Sequence, residues 1–272
     1  MEDVTVEGSD SRIDKVAVRK ALGERLIGSR FLYFLTLTST NDHARELAED
    51  GWPEGTVVLS EEQTAGKGRS GRIWHSPSGV GIYVSVLLKP SMPHDRVQLL
   101  TLMAAVAATR GLRDAGHESL IKWPNDLIFG SRKIGGILAD ARLRPGSPAE
   151  IVLGIGLNIN NRKEDFPEDL HSSAGSIQLT TGVPADRTRI LTSILLRLDE
   201  EYTAIRGGSE AALIGAFMGL CPMALGAKVT VHADGEPYTG ETAGLTSGGA
   251  LRVATATGMR ELRAGEVSVR EG

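Results

Sequence analysis

The sequence predicts an α+β chain in two parts: a larger one in which strands and helices are interleaved, and a small all-β one at its carboxyl end. Three observations carry this. Short apolar runs rich in branched residues, RFLYFLTL, TVVLSEEQ, GVGIYVSVLL and EIVLGIGLNIN, have strand length and are bounded by turn residues. Segments of helical period with capping residues separate them. After Cys221-Pro222 the pattern changes to short alternating strands broken by glycines at Gly235, Gly240, Gly248-Gly249 and Gly258. About 50 residues of that kind suit a small closed β-barrel. The expected divisions are therefore 1–29, a tail and short helix; 30–221, the main domain; and 222–272, the barrel.

Taken in order, residues 1–12 are expected to be disordered and Ile13 to Ile27 to form one short helix. Arg30 to Leu37 reads as a buried strand. TSTN follows, and Thr40 or Asn41 is placed to cap the helix HARELAED, with Gly51 just past its end. Thr56 to Gln63 is the second strand and Gly79 to Leu88 the third. Val97 to Ala115 has helical period and stops at Gly116. SLIKWPNDLIFGSRKIGGILADARL holds two or three short strands with a turn at Gly130-Ser131, and Glu150 to Asn160 is a further apolar strand. Residues 161–186, polar and carrying Pro167 and Pro184, read as a long surface loop. Thr188 to Ile205 and Glu210 to Leu220 read as amphipathic helices.

Composition excludes several classes. The 272 residues are 41% hydrophobic and 24% charged, ordinary for a globular protein. A net charge of −4 argues against a nucleic-acid binder, which usually carries a basic excess. The polar, acidic start MEDVTVEGSDSRIDK is not a secretory signal, and no apolar run reaches membrane-span length. A single cysteine, Cys221, permits neither an intramolecular disulfide nor a cysteine-cluster metal site. The six histidines have no metal spacing, and none is assigned a catalytic role. A cytoplasmic protein is expected.

The stretch TAGKGRSGRIWHSPSG sets Gly66, Gly68 and Gly71 at G-x-G-x-x-G spacing. A dinucleotide fingerprint needs a helix to start there, but RIWHSPSG and then a strand follow. The kinase segments and a G-x-x-x-x-G-K-[ST] phosphate loop are also absent. The loop is either a hairpin turn with solvated cations or a cradle for an anion. In the second case Lys67, Arg69 and Arg72 supply donors beside backbone that a ligand can approach closely.

A second group lies downstream. In KWPND, Lys122 sits at a strand end before Trp123-Pro124; Trp123 is a core aromatic and Lys122 a solvated charge unless a ligand recruits them. Alternation puts Asn158 and Asn160 on one strand face, where they either contact a ribose or triphosphate or cap a loop. Lys133 precedes Gly135 and Gly136, glycines that suggest close approach by a ligand or another backbone.

In this order TSTN, EEQTAGKGRSGRIWHSPSG, KWPNDL, RKIGGILAD, GIGLNIN and the closing GEVSVR resemble the biotin protein ligases, from about residue 30 to the end. The G-[KR]-G-R-x-G-R-x-W loop and KWPND are the most specific parts. The resemblance implies a mixed β-sheet flanked by helices, of the class II synthetase type, followed by the small barrel. It implies that biotin carboxylate attacks the α-phosphate of ATP, giving biotinyl-5′-AMP and pyrophosphate. A lysine of a biotin carboxyl carrier protein, an acetyl-CoA carboxylase subunit, then attacks the mixed anhydride. Lys122 would bridge biotin carboxylate and α-phosphate, and Arg69 would order over biotin and adenylate. Ser39, Thr40, Asn41, Gln63, Gly66, Lys67, Gly68 and Gly135 would surround biotin, whose neutral ureido ring suits hydroxyls and amides. Arg72, Trp74, Asn125 and Asn158 would lie on the nucleotide side. Mg2+ would arrive with ATP rather than in a protein cage, and Asp126 either helps or buttresses the Lys122 strand. Many relatives have arginine at the position of Lys67. Others carry an N-terminal helix-turn-helix; with 29 residues before the first strand, the ligase-only form is expected, with no DNA or membrane partner, and a homodimer along the sheet edge is compatible with the family. A lipoate–protein ligase or octanoyl transferase of related fold is the main alternative, and a noncatalytic sensor a second.

Overall fold

The computed structural model describes residues 12–93, 96–142, 149–232, 236–263 and 268–271, the last stretch in its backbone alone. The expectations for residues 1–11 and for the turn at Gly235 lie outside the described residues.

Seven strands form a mixed sheet: β1 (Arg30–Leu37), β2 (Thr56–Gln63), β3 (Gly81–Leu88), β4 (Leu120–Lys122), β5 (Asp126–Phe129), β6 (Arg132–Arg142) and β7 (Glu150–Asn158). Their spatial order is β1-β2-β3-β7-β6-β5-β4, with β1 and β2 parallel and every other pair antiparallel. Central β3 is buried along its whole length, in keeping with a run that is apolar apart from Ser85. β1 corrects the expectation of a buried strand. It lies at the sheet edge and is half-covered, with Leu35 55% exposed.

Helices cover the two faces unequally. α3 (Gln98–Asp114), α5 (Arg187–Arg206), α6 (Glu210–Leu220) and the short α1 (Lys15–Leu22) share the main core with Val57, Leu59, Val84 and Val86 of the sheet. α3 and α5 approach closely at Gly111, where a Cβ would stand 2.6 Å from the Ile194 Cα. On the opposite face α2 (Thr40–Glu49) packs, placing Ala44, Leu47 and Ala48 on Val58, Leu87 and Val152. The rest of that face is open, and there the cavity lies. Alternate residues of one strand thus serve core and site.

Two helix starts differ from expectation. Ser39, rather than Thr40 or Asn41, caps α2, its hydroxyl accepting from the Asp42 N–H at 3.4 Å. Asp14 caps α1, which is shorter than Ile13 to Ile27 and stops at Gly23 with φ 59°. The stretch 161–186 is more than a surface loop: it contains α4 (Ile177–Thr181), capped by Ser176, with Ile177 fully buried.

The C-terminal strands β8 (Leu225–His232), β9 (Tyr238–Leu245), β10 (Leu251–Thr255), β11 (Gly258–Leu262) and β12 (Ser268–Glu271) form an antiparallel sheet ordered β11-β10-β9-β8-β12. It docks at Gly249, whose carbonyl accepts from Gln98 Nε2 at 2.8 Å and from Trp123 Nε1 at 3.4 Å. Among the described residues no helix is long and apolar enough to cross a membrane.

Candidate active site

A cavity of about 1140 Å³ opens on the sheet face that α2 leaves uncovered. One end is pre-ordered. Gln63 Oε1 accepts from Thr40 N at 2.9 Å and Thr40 Oγ1 at 3.1 Å, and Gln63 Nε2 donates to Ser76 Oγ at 2.8 Å. Ser85 Oγ lies 2.8 Å from Thr40 Oγ1 and 2.6 Å from Asn41 Oδ1, while Asn41 Nδ2 donates to Asp140 at 3.1 Å. Gly154 makes room for this group, since a Cβ there would fall 2.1 Å from Asn41 Oδ1. Hydroxyls and amides are therefore held in fixed orientation, with the Asp140 carboxylate behind Asn41.

The glycine-rich stretch is a hairpin. Its arms pair at Gln63–Ser76 and Lys67–Ile73, and Trp74 N donates to Gly66 O at 2.9 Å. The tip turns through Ser70 (φ 56°) and Gly71 (φ 72°), with Gly68 N bonded to Arg72 O at 2.7 Å. No helix starts here beyond one 3-10 turn, Arg69–Gly71. Gly66 serves the hairpin and not the cavity wall: a Cβ would meet Trp74 O at 2.4 Å.

Three loop cations have different circumstances. Lys67 is held 2.7 Å from the Asp42 carboxylate of α2. Arg69 donates to Asn125 Oδ1 at 2.8 Å, and burial pulls its guanidinium pKa below the ordinary value, with Asp126 opposing and Arg72 adding to the shift. Arg72 is exposed at the rim. Asn125 is itself fixed, its Nδ2 donating to Ile137 O at 2.8 Å. The KWPND segment and the hairpin are thus joined through Asn125.

Lys122, half-buried at the end of β4, lines the same cavity, and its ammonium has no hydrogen-bond or ion-pair partner among the described residues. Asp126 stands opposite Lys122 in the β4–β5 ladder, and its carboxylate is taken by Lys133 at 2.5 Å. Lys133 also lies 5.6 Å from the Trp74 ring. That ring rests on glycine-bare sheet at the cross-strand pair Gly136 and Gly156, 2.6 Å and 3.6 Å from the Cβ positions those residues lack, with the shorter approach at Gly156. The indole N–H is buried with no acceptor among the described residues.

Ser39, Thr40, Asn41, Gln63, Lys67, Gly68, Arg69, Arg72, Trp74, Lys122, Asn125 and Asn158 all line this one cavity. Gly135 does not. It faces the core, where a Cβ would meet Leu157 Cδ2 at 2.5 Å, and Gly136 takes the cavity side because strand residues alternate. Asn158 is buried and donates to Gly175 O at 3.1 Å; Asn160 turns away and caps the Ala185 backbone. Lys133, Tyr83, His232 and the Phe166–Ala174 segment also line the cavity and were missed. Lys133 stood in a quoted motif; the segment has no periodicity that would have flagged it.

The biotin/lipoate A/B protein ligase family model matches residues 32–158, and the biotin protein ligase C-terminal domain model matches 224–270. The bifunctional ligase/repressor BirA of Bacillus subtilis is 31% identical over 261 residues, covering 95% of this chain and 79% of its own length. The biotin–[acetyl-CoA-carboxylase] ligase of Mycobacterium tuberculosis is 30% identical over 228 residues, covering 79% and 81%. The biotin protein ligase of Aquifex aeolicus, solved in complex with biotin and ATP, superposes with a TM-score of 0.77 at 28% identity, over 89% of this chain and 99% of that one. The order of motifs, the two sheets and these matches agree, and the chain belongs to the biotin protein ligase family.

Proposed function

We propose that the protein is an ATP-dependent biotin–protein ligase that forms biotinyl-5′-AMP and passes biotin to a lysine of a biotin carboxyl carrier protein, in the cytoplasm. The observation that carries this reading is the shared cavity: the Lys122 ammonium and the Arg69 guanidinium line one space whose far end is a hydroxyl–amide pocket. A charged acid bearing a ureido head fits that layout. The head meets Thr40, Asn41 and Gln63, and the carboxylate reaches the cations.

Both reactants of the first step are anions, so their approach must be offset by fixed positive charge. Lys122 is placed to hold the biotin carboxylate oxygen against the α-phosphate. Arg69, fixed by Asn125, adds a planar pair of donors to the phosphate that becomes the adenylate. Among the described residues Asp126 is the one carboxylate that lines the cavity, and it is paired with Lys133, which offsets its repulsion of either substrate. Carboxylate oxygen then bonds to phosphorus, pyrophosphate leaves, and in the second step the carrier amine bonds to the acyl carbon as AMP departs.

Among the described residues no three His, Cys, Asp or Glu gather as a metal site. A Mg2+ carried by the phosphate oxygens of ATP fits this donor set, and when bound it would neutralise triphosphate charge. Supplying the protein with ATP, Mg2+ and biotin should yield a bound adenylate by mass spectrometry, and ATP-dependent labelling of a carrier domain. Tighter binding of lipoate than of biotin in direct titration would replace this reading with the lipoate one.

A further inference from the structure

β7 acts as a ruler along the cavity. Gly154 lies under Asn41, Gly156 under Trp74, and Asn158 reaches Gly175, three same-face positions spanning roughly 13 Å at strand rise. The hydroxyl–amide pocket therefore marks one end, and the segment from Phe166 to Gly175 walls the other. This wall is not part of the sheet. It is fastened to the start of β6 by a short parallel bridge, with Lys133 N donating to Ser173 O at 3.0 Å and Gly175 N to Lys133 O at 2.8 Å. Arg132 crosses over the bridge: its Nη1 donates to His171 O at 3.2 Å and Ala174 O at 3.4 Å. Its stem occupies the place of a side chain at Gly175, where a Cβ would fall 2.7 Å from Arg132 Cβ. Arg132 does not line the cavity.

We propose that Arg132 is a positioning residue for the nucleotide half of the site, clamping the Phe166–Gly175 wall closed across the bare glycine at 175. The proposal rests on the ligase reading, which puts biotin at the pocket end and so leaves the walled end to ATP. A wall that must be shut for ATP to bind lowers the apparent affinity by the fraction of molecules in which it is shut. Removing two carbonyl contacts lowers that fraction, while the pocket at the other end of β7 is untouched.

The test compares Arg132→Ala, Arg132→Lys and Gly175→Ala with the unaltered protein. Three quantities are read: biotin affinity without ATP, the KM for ATP in pyrophosphate release, and the rate at which preformed adenylate is lost. Arg132→Ala should raise the KM for ATP and speed adenylate loss about tenfold, with biotin affinity held within about twofold. Gly175→Ala should reproduce this by displacing the arginine stem, and Arg132→Lys, which keeps one donor, should recover part of the loss. An unchanged KM for ATP in Arg132→Ala, or a parallel fall in biotin affinity, overturns the clamp. If the unaltered protein makes no adenylate, the ligase reading fails instead, and the two failures are told apart by that control.

Discussion

Lys122 and Arg69 sit in one cavity yet differ in their surroundings, and their variants should fail differently. Among the described residues Lys122 has no hydrogen-bond or ion-pair partner, so Lys122→Ala is expected to remove chiefly the charge that reconciles two anions. Pyrophosphate release should fall by about two to three orders of magnitude, the scale of losing one well-placed donor to a developing anion. Release near the original rate would remove Lys122 from the chemistry. Arg69 is tied to Asn125 and stands at the base of the hairpin tip, so Arg69→Ser should act on retention. The adenylate then escapes and labels lysines of a bystander protein; unchanged bystander labelling would refute this. At this scale the sequence was most legible where residue type was itself the chemistry, as in the loop cations, KWPND and the hydroxyls and single amide of TSTN. It misled at Gly135, because two adjacent glycines carry no mark of which one faces the ligand. It pointed to Lys133 beside the paired glycines but not to its pairing with Asp126, which depends on the β5–β6 turn.

The glycine-rich hairpin is lightly fastened. Two isolated bridges, a tip through Ser70 and Gly71, and side-chain contacts from Lys67 to Asp42 and Arg69 to Asn125 hold it, and Lys67, Arg69, Ser70 and Arg72 line the cavity. Such an element opens at low free-energy cost and closes when an anion joins its cations. Trypsin should cut after Lys67, Arg69 or Arg72 in the free protein, and biotin with ATP should protect these bonds. Equal cleavage with and without ligand would count against a closing loop. Most elements were readable because apolar runs and helical period survive in the final packing; β1, β2 and α6 keep the expected limits. Burial of β1 was not readable, since an apolar run does not say whether a strand lies at the edge. The wall from 166 to 175 was missed for a related reason: its fastenings are backbone bonds to β6 and an arginine 39 residues away from His171, none of which leaves a local pattern.

Two contacts tie the molecule together across its length. Arg187 and Glu61, with side chains 3% and 1% exposed, pair at 2.7 Å; the same carboxylate accepts from Ile13 N at 2.9 Å and Tyr33 OH at 3.0 Å. Burial first, then that carboxylate, pushes the Tyr33 phenol up to about 12. Arg187→Met would strand a buried carboxylate and should lower unfolding free energy by about 3–5 kcal/mol in denaturant melts. A loss under about 1 kcal/mol would mean that water reaches Glu61. At the other junction Gly249 has φ 85° and a Cβ there would stand 2.7 Å from Leu102 Cδ1, while its carbonyl receives Trp123, the neighbour of Lys122. Gly249→Val should cost about 1–3 kcal/mol of stability and slow adenylate formation together; a stability loss with full activity would show that the C-terminal sheet does not govern Lys122. Finally, Lys67, Arg69, Arg72, Lys122 and Lys133 line a cavity where, among the described residues, Asp126 pairs with Lys133 and Asp42 with Lys67, inside a chain of formal net charge −4. The mouth is consequently an electropositive island in an acidic shell, which draws in small polyanions from a distance and makes their encounter rate fall as ionic strength rises, while leaving neutral solutes indifferent.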